Sequence, residues 1–229
     1  MGRELKTSDY IKFLRRAIGQ VRNEYYGNEK WIQSMINGAD LNPTKNQLEE
    51  TIIPHLSKHY ERVFCYELYH QLRRVLQKEQ GDLEKKVILQ AELQKKQISD
   101  EVEDLMGISK LEGRYIPDFL IHEPHTVSNQ NLIIEVKANP NLNDNEMLDD
   151  IKKIDQFISR YRFEKGVFLS INISKEKLKK LLSSKKLLSC LESEIENHEK
   201  ILVMFKESHE SELIHRNLGK LIENMDIRL

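Results

Sequence analysis

Two carboxylates and one amine interrupt two short apolar runs. The first run, Tyr115-Ile116-Pro117-Asp118-Phe119-Leu120-Ile121, contains Asp118; the second, Leu132-Ile133-Ile134-Glu135-Val136-Lys137-Ala138, contains Glu135 and Lys137. Both are rich in β-branched and aromatic residues, and the turn-forming stretch from Glu123-Pro124 to Asn131 separates them, which predicts two adjacent strands of one sheet. Side chains alternate between faces along a strand, so Glu135 and Lys137 share one face, and an antiparallel neighbour brings Asp118 beside Glu135. Asp118 and Glu135, helped by the Val136 carbonyl, are hard oxygen donors that suit Mg²⁺ or Mn²⁺ better than zinc. A dication held there polarises a phosphoryl oxygen, acidifies a bound water and stabilises a departing alkoxide. Lys137 is placed to orient or help deprotonate that water and to offset charge on a pentacoordinate phosphorus. The chemistry these residue types suit is phosphodiester hydrolysis, and the 17 positions from Asp118 to Glu135 leave room for two strand halves and a loop.

The pairing of Pro117-Asp118 with Glu135-Val136-Lys137 resembles the PD-(D/E)xK nuclease superfamily, which includes restriction endonucleases and many repair and defence nucleases. The resemblance covers residues 55–206 and implies an α/β fold with a restriction-endonuclease-like core: helix, three strands, helix, strand, around a mixed sheet flanked by helices. It further implies a Mg²⁺- or Mn²⁺-dependent deoxyribonuclease acting on DNA in restriction, defence or repair, as a homodimer or within a larger complex. An inert nuclease-fold subunit that binds DNA or partner proteins is the alternative. Family members often carry a metal-shell acid on the helix before the first core strand, and Glu67 resembles it. Lys153 and Gln156, on the helix after the lysine strand, resemble the residue that approaches the phosphate or the water.

Each of these assignments has a plainer counterpart. Glu135 and Lys137 could form a solvent-exposed ion pair worth at most about 1 kcal/mol, although the unbroken run Leu132-Ile133-Ile134 suits a strand buried on both faces. Glu67 could instead sit at the margin of its helix, paired with Arg73, Arg74 or His70.

Hydrophobic periodicity supplies the surrounding elements. From Pro54, residues Leu56, Tyr60, Val63, Phe64, Leu68, Leu72, Val75 and Leu76 recur at helical spacing, with Glu67 in that stripe. Lys86 to Gln94, reading Val87-Ile88-Leu89-Gln90-Ala91-Glu92-Leu93 between its ends, predicts the first core strand after the Gly81-Asp82 turn. Asn143 and Glu146 predict a capping box, followed by a stripe of Met147, Ile151, Ile154, Ile158 and Tyr161. Gly166–Ile173 and Ile201–Phe205 predict strands, joined by one helix from Ser174 to about Asn197. Right-handed crossovers lead to helices on both faces of the sheet. Residues 1–50 read as a helical extension, with Ser8 or Asp9 capping a helix through Tyr10, Leu14, Ile18, Val21 and Tyr25, a second helix at Trp31–Ile36, and a capped start at Thr44 and Gln47. Residues 51–206 form the core, and 207–229 read as a terminal helix through Leu213, Ile214, Leu218, Leu221 and Ile222.

Composition narrows the remaining classes. The 229 residues carry 32% charged side chains with a formal net charge of −1, and no apolar run is long enough to span a membrane. Met1–Gly19 lacks the apolar segment of a secretory signal, and Cys65 and Cys190 follow no zinc or disulfide pattern, so a cytoplasmic setting is expected. No Gly-rich phosphate cradle is present. His122, Glu123 and His125 read as surface polar residues. A net charge near zero provides no broad electrostatic footprint for nucleic acid, so contacts must be local. Lys152, Lys153, Arg160, Arg162 and Lys165 form one basic stretch, and Lys175–Lys186 another.

Overall fold

The computed structural model describes residues 5–26, 38, 44, 47, 53–80, 86–91, 116–126 and 128–223. Its frame is a six-stranded sheet in which spatial order follows chain order: β1 (Ile88–Ala91), β2 (Phe119–His122), β3 (Gln130–Lys137), β4 (Lys165–Ile171), β5 (Ile201–Lys206) and β6 (Ile214–Asn217). β1, β2 and β3 pair antiparallel, β3, β4 and β5 pair parallel, and β6 returns antiparallel to β5. The architecture is therefore α/β with a mixed sheet.

Helices α1 (Thr7–Gln20) and α2 (Ile53–Gln80) cover one face; α3 (Asp144–Tyr161), α4 (Lys175–Leu182), α5 (Lys185–Glu194) and α6 (Leu218–Glu223) cover the other. Two buried cores result. On the α1/α2 face Phe64, Leu68 and Leu72 pack with Ile134, Val136 and Leu169; on the α3 face Ile151, Ile154 and Phe157 pack with Ile133, Phe168 and Val203. Both parallel crossovers step in the same direction across the sheet, so connections of one hand deliver their helices to a single face. The opposite face is closed by the N-terminal helices and not by a crossover.

Several local expectations change. The helix expected over 174–197 is two helices, because Ser184 starts a second one and its hydroxyl accepts from Leu187 N at 3.3 Å. The terminal segment is not helical throughout: Ile214 pairs with Phe205 in β6, and only Leu218–Glu223 is helical. Pairing satisfies the open backbone edge of β5, which a helix there would leave unbonded. Asp9 does not occupy the cap position but the first turn of α1, where its carboxylate accepts from Lys6 N at 3.2 Å. The capping box of α3 forms as expected, with Asn143 Oδ1 accepting from Glu146 N at 3.1 Å and Glu146 Oε2 from Asn143 N at 3.1 Å. Thr44 and Gln47 bond reciprocally in the same way, while Trp31–Ile36 lie outside the described residues. His122 is buried at 4% exposure, with Nε2 bonded to Gln90 Oε1, so it is not a surface residue. Cys65 and Cys190 form no disulfide among the described residues, and no described helix is long and apolar enough to cross a membrane.

Helix and sheet approach closely at Gly166, where an added Cβ would overlap Ile154 Cγ2. Gly166→Ala is expected to destabilise the protein by about 1–3 kcal/mol through overpacking, seen as a lower urea midpoint with the far-ultraviolet dichroism of the folded state retained.

Candidate active site

The sheet register decides which charges meet. Phe119 pairs with Ile134, so Asp118, one residue earlier, falls opposite Glu135. Its Oδ2 accepts from Val136 N at 2.7 Å, so the N–H of Val136 is the group that meets Asp118. Glu135 is 1% exposed on a strand buried on both faces. A carboxylate in that position requires a partner, and α3 supplies it: Lys153 Nζ lies 2.7 Å from Glu135 Oε2 and 3.3 Å from Asp150 Oδ1. Lys137 pairs with Asp150 Oδ2 at 3.2 Å and more distantly with Glu61 Oε1 at 3.9 Å. Glu135 and Lys137 are thus not an exposed ion pair with each other, because each is turned toward a different helix residue.

Sequence reasoning missed two members of this cluster, Glu61 and Asp150. Glu61 Oε2 accepts from Ala138 N at 3.1 Å and so caps the exit of β3. Its signal was present in the pattern: at roughly 100° per residue, Glu61 lies on the axis of the face formed by Phe64, Cys65, Leu68 and Leu72, all buried. Glu67 is rotated from Glu61 by about 120° on the same geometry. It is half-buried, accepts from Gln71 Nε2 at 2.6 Å and lies within electrostatic reach of Arg22. The acid that α2 brings to the cluster is therefore Glu61. The expected stripe was skewed toward Glu67 because Tyr60 and Val63 were counted in it, and both are only half-buried. Asp150 carries a similar signal, three residues after Met147 and four before Ile154 in an apolar stripe. Gln156 is half-buried one turn beyond Lys153.

Four carboxylates (Glu61, Asp118, Glu135, Asp150) and two ammonium groups (Lys137, Lys153) leave a formal charge of −2 in a largely dry site. The protonation equilibria register this excess. Burial, with Glu61 adding to it against the Val136 N–H, pushes the Asp118 carboxyl up to about 6. Burial and then Asp118 hold Glu135 well above the usual carboxylate range, against the pull of Lys153. Burial also raises Glu61. For Lys137, burial works against the charge, but Asp150 and Glu61 outweigh it and the ammonium is raised above its ordinary value.

The donor chemistry fits a hard dication: the groups are oxygens, their charge is in excess, and the buried Glu135 Oε1 has no hydrogen-bond partner among the described residues. Among the described residues no three Asp, Glu, His or Cys side chains already stand together as a ligand set. Lys153 and the Val136 N–H occupy one oxygen each of Glu135 and Asp118. Elsewhere much of the basic surface is engaged within the chain: Lys152 pairs with Glu194, Lys165 donates to the Glu199 carbonyl at 3.0 Å, and Lys177 donates to Asn141 Oδ1 at 2.7 Å.

Asp118 makes the cost of the cluster measurable. Its carboxyl keeps a proton up to about pH 6 when folded but only to about 3.8 when unfolded. Between those values the native state binds more protons, so stability falls as pH rises through that window. Asp118→Asn keeps an acceptor for Val136 N and removes the charge. It is expected to be roughly 1–2 kcal/mol more stable than wild type at neutral pH, with the difference vanishing near pH 4. Urea unfolding at both pH values checks this, and an unchanged or lower midpoint at neutral pH contradicts it.

Compared with known proteins, the chain matches no family model, no curated protein and no solved structure at a significant level.

Proposed function

We propose that this chain is a metal-dependent DNA endonuclease whose site is built on Asp118, Glu135 and Lys137, the reading implied by its resemblance to the PD-(D/E)xK superfamily. The observation that carries it is the convergence of four carboxylates and two lysines on the end of β3, with Glu135 Oε1 buried and unpartnered among the described residues. Asp118 and Glu135 would hold Mg²⁺ or Mn²⁺, with Glu61, in place of Glu67, as the additional acid. A dication bound there supplies Lewis-acid activation of the phosphoryl group and of a water.

The chain's own groups do the rest. The Val136 N–H fixes Asp118 by one oxygen and leaves the other for binding. Lys153 holds Glu135 by Oε2 and leaves Oε1 without a hydrogen-bond partner among the described residues. Lys137, kept protonated by Asp150 and Glu61, orients the attacking water and stabilises negative charge on the phosphorus centre. In that protonation state it does not accept the proton of the water, which narrows its role to electrostatics and positioning. Asp150 bridges the two lysines, one on each carboxylate oxygen.

A second reading, an inert subunit of the same architecture that binds DNA or partner proteins, is favoured by the pairing of Lys153 with Glu135, which offsets the buried carboxylate without a metal ion. Calorimetry with Mn²⁺ and plasmid cleavage on the same samples separate the two readings. Asp118→Ala and Glu135→Ala are expected to lose both cation binding and cleavage. Lys137→Ala is expected to keep cation binding while losing about 10²-fold or more in rate, and Glu67→Ala to retain both. Cleavage that survives in Asp118→Ala removes the mechanism; wild type that binds no cation and cleaves no plasmid leaves the inert subunit.

A further inference from the structure

Beside Asp118, between α2 and the β1–β2 edge, is a cavity of about 290 Å³ whose walls include Glu61, Arg62, Tyr66, Tyr69, Asp118 and Phe119. Its aromatic wall has an unusual exposure. Tyr66 is 61% exposed and Ile116 is 44% exposed, the two exposed large hydrophobic residues among those described, and Ile116 stands two residues before Asp118. Tyr69 is held in place by stacking on Phe119, with ring centroids 6.4 Å apart and planes 21° from parallel. Tyr66, three residues earlier, has no ring partner and no hydrogen bond among the described residues, and Arg62, one turn before it, has no ion-pair or hydrogen-bond partner among them.

We propose that this cavity is a stacking site for one unpaired nucleobase, so that the substrate is DNA with a single-stranded or extruded nucleotide next to the cut. The substrate class rests on the nuclease reading of Asp118 and Glu135. Three features agree. A free planar ring and a neighbouring guanidinium are the groups that take up the face and edge of a base. The cavity lies at the small end of ligand pockets, about 300 Å³ and up, which suits one nucleoside and not a duplex. A net charge of −1 removes the diffuse phosphate attraction on which most duplex binders rely, whereas stacking supplies affinity from a single well-placed ring. Asp118 is in the cavity wall, so a base seated on Tyr66 places its own phosphate within reach of the acidic cluster.

The test uses the full chain and short DNA oligonucleotides carrying 2-aminopurine, single-stranded or paired in a duplex, in EDTA so that no cation contributes. Wild type is expected to quench the single-stranded probe and bind it more tightly than the duplex. Tyr66→Phe should retain the quench. Tyr66→Ala should lose it with an affinity drop of about ten-fold or more, and Arg62→Ala should weaken binding in the same direction. Quenching by Tyr66→Ala equal to wild type, or a wild-type preference for duplex, overturns the stacking site. The two readings fail separately: plasmid cleavage that persists with no Tyr66 effect leaves the nuclease and removes the stacking site. A Tyr66-dependent quench with no cleavage in Mg²⁺ or Mn²⁺ leaves a single-strand-binding site and removes the nuclease.

Discussion

Burying Glu135 is the constraint around which the rest of the molecule is arranged. Its carboxylate sits on the central strand, covered on both faces, where an isolated charge is prohibitively unfavourable. Lys153 resolves part of that cost from α3, and Asp150 then ties Lys153 to Lys137. A salt bridge of this kind is weak evidence for stability, because desolvation opposes the Coulombic gain. The raised protonation equilibria of Asp118, Glu135 and Glu61 mark a site that is under-neutralised as it stands. On the function proposed above, a bound dication would offset that excess.

Topology brings these groups together from both sides of the sheet. β3 ends between two layers: α2 comes from one face and reaches Ala138 N through Glu61, while α3 comes from the other and reaches Glu135 through Lys153. Asp118 arrives edgewise from β2. The antiparallel pairing of β2 with β3 and the parallel pairing of β3 with β4 are therefore both needed, the first to set Asp118 opposite Glu135 and the second to return the chain through α3. The elements outside residues 51–206 are joined to this frame: Thr7 Oγ1 donates to Asn131 Oδ1 at 3.2 Å at the start of β3, and β6 extends the sheet.

The basic surface beyond the cluster is unevenly engaged by the rest of the chain. Several of the lysines that seemed available for phosphate contacts are held by the chain's own acids, amides and carbonyls, as Lys152 and Lys177 are. Arg62 and Tyr66, which have no hydrogen-bond, ion-pair or ring partner among the described residues, lie instead on α2, in the wall of the cavity beside Asp118. On the proposed stacking reading, charge neutralisation within the fold and an exposed aromatic beside the cluster are complementary: the first would limit nonspecific adhesion, and the second would provide directional contact.

The sequence by itself determined β1 to β5 and the alternation of faces along β2 and β3. Alternation in a period-two element is read directly from residue type, which is why Asp118, Glu135 and Lys137 fell on one face, why Leu132-Ile133-Ile134 announced a strand buried twice over, and why Asn143 and Glu146 announced the start of α3. Helix rotation was legible only coarsely. Within the 28 residues of α2, Tyr60 and Val63 pulled the apparent stripe toward Glu67, when the axis of burial runs through Glu61. Only the tertiary structure decided that Lys153 would serve Glu135, that Asp150 would join two lysines, and that the segment after Lys206 would pair as β6. Those outcomes depend on distances between elements far apart in the chain, set by how helices seat on a twisted sheet, and no local pattern encodes them.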